Sequence, residues 1–223
     1  MDQELKNSIL RTGTTILGIV CKDGVVMASD RQTTAGHTVV KKNKEKTVRV
    51  GDYLLFAGCG LAAATQRVKK ILEAELKLKS LRSGSRPTVR QAAGLLSNMI
   101  YSNIRQPSMV PDEMGALLGG VNEDGTFELY TLDPAGHLEE VQEYDANFGS
   151  GMPYVLGLLE RQYKKGLSVH EGVELAKEAL KSSTQRDTGS GYGIDIFTIT
   201  KSGISKVVEQ TIEPEYRDDK REN

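Results

Sequence analysis

The residues that stand out chemically are Gly13–Thr14–Thr15, near the start of a 223-residue chain. A hydroxyl is a poor nucleophile unless a base takes its proton. A threonine at a chain terminus carries its own base, because an α-amine titrates near ~8 and lies far below lysine. Cutting the Gly13–Thr14 bond would therefore create nucleophile and base on one residue; before the cut that nitrogen is an amide and cannot serve. Other familiar arrangements are missing. His37, His137 and His170 have no partner at metal-ligand spacing. No serine occupies a G-x-S-x-G elbow. The glycine-rich stretches at 149–151 and 189–193 lack a P-loop lysine and a strand-to-helix dinucleotide context. Cys21 and Cys59 form neither a metal spacing nor a disulfide framework, so two reduced, buried thiols in a reducing cytoplasm are expected. No metal or cofactor is called for.

The elements that must position this threonine can be read from periodicity. Patterned sequence begins at Thr14, which leaves residues 1–13 as a leader outside the fold, either a disordered terminus or a removable pro-segment. TTILGIV and VVMASD flank CKDG, a strong hairpin signal. The polar stretch RQTTAGH leads to TVVKK, and KTVRV and YLLFAG form a second hairpin across Gly51–Asp52. From Leu61 to Leu81 the period becomes helical, with Val68, Ile71, Leu72 and Leu76 as its stripe. Pro87 suits the first turn of a second helix, whose apolar face is Val89, Ala92, Ala93, Leu96, Met99, Ile100 and Ile104. GALLGGV, FELYTL and HLEEVQEY resume the strands. Helices follow over residues 153–164 and 168–185, then the strands YGIDIFTIT and ISKVVEQ. Hairpin-linked strands with helices arriving in pairs predict an α+β fold. Two stacked antiparallel sheets with a helix pair outside each, a four-layer αββα sandwich, satisfy the count. One domain, 14–211, is expected, followed by a charged, patternless tail over 212–223.

Taken together, TGTTILGI, the KDG turn, VVMASDRQ, the lysine of KNKEK, AGCG, LLGG followed by DPAG, FGSGMPYVLGLLE and QRDTGSGYGIDI resemble the proteasome β-subunits of the N-terminal-nucleophile hydrolases. The resemblance runs from Arg11 to about Glu209 and implies the same αββα sandwich. By this resemblance Thr14 is the nucleophile of a threonine endopeptidase and Gly13–Thr14 its cleavage site. Lys46 is the catalytic lysine and Asp30 the aspartate that orients it, although Lys44 is a rival in the same KKNKEK run. An ammonium beside the threonine oxygen would favour the alkoxide and lower the α-amine pKa. Ser150, Asp187 and Ser190 align with the cluster that supports the threonine amine; helix caps and turn formers are their plainer reading, and Ser150 could also cap the helix begun at Pro153. Gly58 aligns with the glycine whose N–H forms the oxyanion hole. Thr33, Val48 and Phe56 align with the substrate pocket, and Phe56 suggests an apolar preference.

The substrate implied is an unfolded polypeptide. The partners implied are further β-subunits in a seven-membered ring, a ring of α-subunits and, indirectly, an ATP-dependent unfoldase; the short leader looks archaeal-type. Two departures from the pattern stand out. Ile16 replaces a frequent threonine, and LAAATQ lacks an acidic residue after AGCG, which removes a helix N-cap. A non-catalytic ring subunit is the alternative, although such subunits typically lack the threonine, the lysine or the cleavable glycine, all present here. With 29 basic and 30 acidic residues, nothing favours nucleic acid or an anionic membrane surface. No run reaches the eighteen or so apolar residues of a membrane helix.

Overall fold

The computed structural model describes residues 13–215; most of the expected leader and the end of the expected tail lie outside the described residues. Strands β1 (Ile16–Cys21) and β2 (Gly24–Asp30) form the expected hairpin, with Cys21 opposite Gly24. The short β3 (Thr33–Ala35) and β4 (Thr38–Lys41) make a two-stranded ribbon of their own. Strands β5 (Thr47–Val50) and β6 (Leu54–Gly60) lead into helices α1 (Ala62–Ser83) and α2 (Val89–Ile104). Then come β7 (Met114–Val121), β8 (Phe127–Leu132), β9 (Leu138–Glu140) and β10 (Tyr144–Asp145). Helices α3 (Met152–Gln162) and α4 (Val169–Arg186) and strands β11 (Gly193–Thr200) and β12 (Gly203–Thr211) complete the order.

Two five-stranded antiparallel sheets result, one ordered β10-β1-β2-β11-β12 and the other β5-β6-β7-β8-β9. Three apolar layers hold them. Leu72, Leu96 and Ile100 from α1 and α2 pack with Leu54 and Leu118 on the outer face of the second sheet. Ala176 and Leu180 of α4 and Leu159 of α3 cover Leu17, Ile19 and Ile196 on the first. Between the sheets lie Ile16, Met27, Leu55, Leu117 and Ile199. Alternate residues of β1, β2 and β11 thus serve two different cores, which is why those strands read as nearly continuous apolar runs. The expected four-layer αββα sandwich is what forms. Among the described residues, no helix is long and apolar enough to cross a membrane.

Several local expectations change. The stretch read as polar loop contains β3. HLEEVQEY is split, with β9 closing one sheet and β10 crossing to the edge of the other. The buried stripe of α1 is Ala64, Val68, Leu72 and Leu76, whereas Ile71 is 40% exposed, because neighbours on a helix point about 100° apart. Helix α1 starts at Leu61 with no side-chain cap, as the missing acidic residue implied. Helix α3 has Gly151 as its N-cap, so Ser150 does not cap it.

Candidate active site

Thr14 lies just before β1, on the rim between the two sheets, and is buried. Its hydroxyl donates to the carbonyl oxygen of Gly13 at 2.6 Å, and the Lys46 ammonium donates to that same oxygen at 3.2 Å. Lys46 in turn meets Asp30 Oδ1 at 2.6 Å. Asp30, the last residue of β2, is wholly buried and saturated: Oδ1 also accepts from Thr15 N at 2.8 Å, while Oδ2 accepts from Gln32 N at 2.9 Å and Gly191 N at 3.1 Å. Burial pushes the Asp30 carboxyl up and the Lys46 ammonium down, each against the pull of its partner. The lysine facing the threonine therefore releases its proton more readily than a solvated lysine. Lys44 is exposed, which settles the choice between the two lysines in favour of Lys46 for contact with Asp30.

A second hydrogen-bonded chain closes over the main chain of Thr14. Its N–H donates to Ser150 Oγ at 3.1 Å, and Ser150 donates to Asp187 Oδ2 at 2.6 Å. Ser190 also donates to Asp187 Oδ2, at 2.6 Å, which leaves Thr15 Oγ1 as the donor across the 2.7 Å contact to Ser190. Asp187 is the C-cap residue of α4, so the helix end sets its place. Six of the residues expected at the site, Thr14, Asp30, Lys46, Ser150, Asp187 and Ser190, thus stand together around one peptide bond.

The Gly58 N–H donates to Lys46 O at 3.3 Å, next to the β5–β6 ladder, and so holds the main chain of Lys46. Thr33, Val48 and Phe56 do line one cavity of about 260 Å³ beside Thr14, together with Gly58 and Gly60. A Cβ on Gly58 would stand 2.9 Å from the Phe56 ring and 3.0 Å from Thr65 Cγ2, so the glycine keeps this cavity open. Lys44, Lys69 and Lys70 add charge to the same lining.

Sequence reasoning missed Thr15, Gln32, Asn147 and Gly189. The N–H groups of Thr15 and Gln32 hold Asp30. Asn147 takes a left-handed conformation, φ 48°, which asparagine tolerates better than most residues. Its Nδ2 donates to the carbonyls of Ala116 at 2.8 Å and Leu132 at 3.0 Å, so the loop bearing Ser150 is tied to the second sheet. An asparagine opening a Phe-Gly-Ser-Gly turn was the available signal. Gly189 abuts Gly13 backbone to backbone: a Cβ on Gly13 would fall 2.1 Å from Gly189 Cα.

A buried hydroxyl, lysine and carboxylate thus meet at one peptide bond of an αββα sandwich. Comparison with known proteins narrows the class. A family model described as "Proteasome subunit" matches residues 10–199. The chain is 43% identical over 194 residues to a protein named "Proteasome subunit beta" from Nanoarchaeum equitans, covering 87% of this chain and 96% of that one. Proteins of the same name from Methanopyrus kandleri and Methanocaldococcus vulcanius are 35% and 34% identical, covering 92% and 90% of this chain and 95% and 87% of theirs. The chain belongs to the proteasome subunit family.

Proposed function

We propose that this chain is a threonine-type endopeptidase subunit of a proteasome core, made active when Gly13–Thr14 is cut. The observation that carries this reading is the convergence of the Thr14 hydroxyl and the Lys46 ammonium on the Gly13 carbonyl oxygen. Addition of Thr14 Oγ1 to the Gly13 carbonyl carbon would break the C–N bond, leaving Gly13 as an ester on Thr14 and Thr14 N as a free amine. Water then hydrolyses the ester, releasing the leader with a new carboxylate. Ser150 already faces that nitrogen, so the amine would be born in the place where it acts as base.

A substrate peptide would follow the same course, with its carbonyl where Gly13 O now sits. The Lys46 ammonium would stabilise charge developing on the threonine oxygen. The side chain before the scissile bond would enter the cavity with Val48 and Phe56 in its lining, which supports an apolar preference. The substrates are unfolded polypeptides. The working form is a seven-membered ring of such subunits against an α-type ring, fed by an ATP-dependent unfoldase in the cytoplasm. Thr14→Ala, co-assembled with the α-type partner, is expected to retain its leader and to hydrolyse no peptide. Hydrolysis surviving at the wild-type rate would overturn the mechanism, and a particle that assembles around an inactive wild-type chain would favour the non-catalytic subunit.

A further inference from the structure

Lys46 sits in a segment without regular structure: residues 42–46 lie between β4 and β5 and belong to neither sheet. Asp30 ends a strand of the first sheet, while Lys46 opens onto β5 of the second. Their ion pair thus spans two sheets whose separation must be held by something else. The main chain helps: Lys44 N donates to Arg31 O at 2.9 Å and Gly58 N to Lys46 O at 3.3 Å. Between these two tethers stands Glu45, whose carboxylate meets the Lys206 ammonium at 2.7 Å.

Lys206 belongs to β12, two elements away from anything expected at the site. It also faces Asp195 Oδ1 at 3.0 Å and Glu209 Oε2 at 3.0 Å. Asp195 is fully buried on β11 and receives Arg31 Nε at 3.2 Å; Arg31 Nη2 reaches Glu209 at 2.6 Å. The chain Arg31–Asp195–Lys206–Glu45 therefore begins one residue after Asp30 and ends one residue before Lys46.

A β-bulge makes this possible. Asp195 pairs with Glu209, but Phe197 pairs with Lys206 where a regular ladder would give Val207. Residues directly opposite share a face, and a one-residue slip exchanges faces. The extra residue thus moves Lys206 onto the face of Asp195 and Glu209, the re-aiming that bulges beside functional sites provide. Burial pulls the Lys206 ammonium down, but its bonds to three carboxylates raise it overall, so it stays charged at neutral pH.

Building on the peptidase reading above, we propose that Lys206 is a positioning residue for catalysis: through Glu45 it clamps the segment bearing Lys46 to the sheet bearing Asp30. The test uses the assembled, processed particle. Lys206→Met should lower kcat about tenfold and raise KM for a small peptide by much less, because the loosened segment carries the reacting Lys46 and only part of the cavity lining, Lys44 and Glu45. Lys206→Arg should recover most of the loss, and Glu45→Gln combined with Lys206→Met should be no worse than Lys206→Met alone. Asp112→Asn, which breaks an exposed ion pair to Arg67, is the control and should change nothing. Hydrogen exchange supplies a readout independent of turnover: the Lys44 amide should lose protection in Lys206→Met. An unchanged kcat in an active particle overturns the proposal, as does a KM that rises in step with the fall in kcat. A wild-type particle with no Thr14-dependent hydrolysis would sink the peptidase reading instead. Exchange at Lys44 then decides alone, and unaltered protection there overturns the clamp.

Discussion

At the scale of residues, the peptide bond between Gly13 and Thr14 is tightly enclosed. Gly13 has backbone against it on one side and the Lys46 ammonium on its carbonyl on the other. Gly13→Ala would force a methyl into Gly189 Cα, and backbone cannot yield as a flexible side chain does. We expect leader removal in this variant to slow by about 100-fold or more, since a displacement of ~1 Å at a reacting centre costs that much; a time course of chain mass after assembly checks it. The two thiols behave as sequence context suggested. Cys21 and Cys59 are buried and free of any disulfide. Burial pushes the Cys59 thiol from its ordinary 9.0 up to about 11. Between those pH values the folded chain holds one proton that the unfolded chain has lost. This contribution to stability is therefore intact below 9 and is lost as pH rises through 11, at about 1.4 kcal/mol per pH unit at most. Urea midpoints at pH 8 and pH 10 should fall more steeply in the wild type than in Cys59→Ala, and iodoacetamide at pH 8 should label neither thiol in the folded chain.

At the scale of elements, the helices differ in how firmly they start. Thr88 and Gln91 form a reciprocal capping box at α2, as do Ser168 and Glu171 at α4, whereas α1 begins on Leu61 with no side-chain cap. Thr88→Ala should cost about 1 kcal/mol in a denaturant melt, and a loss below about 0.3 kcal/mol would mean the box contributes little. Helix pairs and long strands were legible because their apolar period continues over many residues. Short elements were not: β3 has three residues and β10 two, too few to show a period, and their places depend on distant strands. The bulge opposite Phe197 was invisible for a related reason. ISKVVEQ reads as an ordinary strand, and only the partner strand reveals that its phase slips.

At the scale of the whole molecule, the site is a seam. The first sheet supplies Asp30 and the second holds Lys46 through Gly58, while the loops after β10 and α4 bring in Ser150, Asp187 and Ser190. The resemblance to a known family carried these side chains to their places because each sits inside a short, recognisable motif. It did not show that the Gly58 N–H holds Lys46 O, because the use of a strand's N–H groups depends on register, which a motif does not show. Lys46→Met removes one partner of a buried ion pair and leaves Asp30 with only backbone donors. It should cost about 3–5 kcal/mol in unfolding free energy and abolish peptide hydrolysis; a variant as stable as wild type would show that the pair does not hold the seam.

The central claim is that Thr14 becomes the first residue of the working chain. Intact mass and N-terminal sequencing of the chain recovered from an active particle test it most directly. A chain beginning Thr-Thr-Ile-Leu, shortened by residues 1–13, is the expected result. An active particle whose chains all keep Met1 would contradict it.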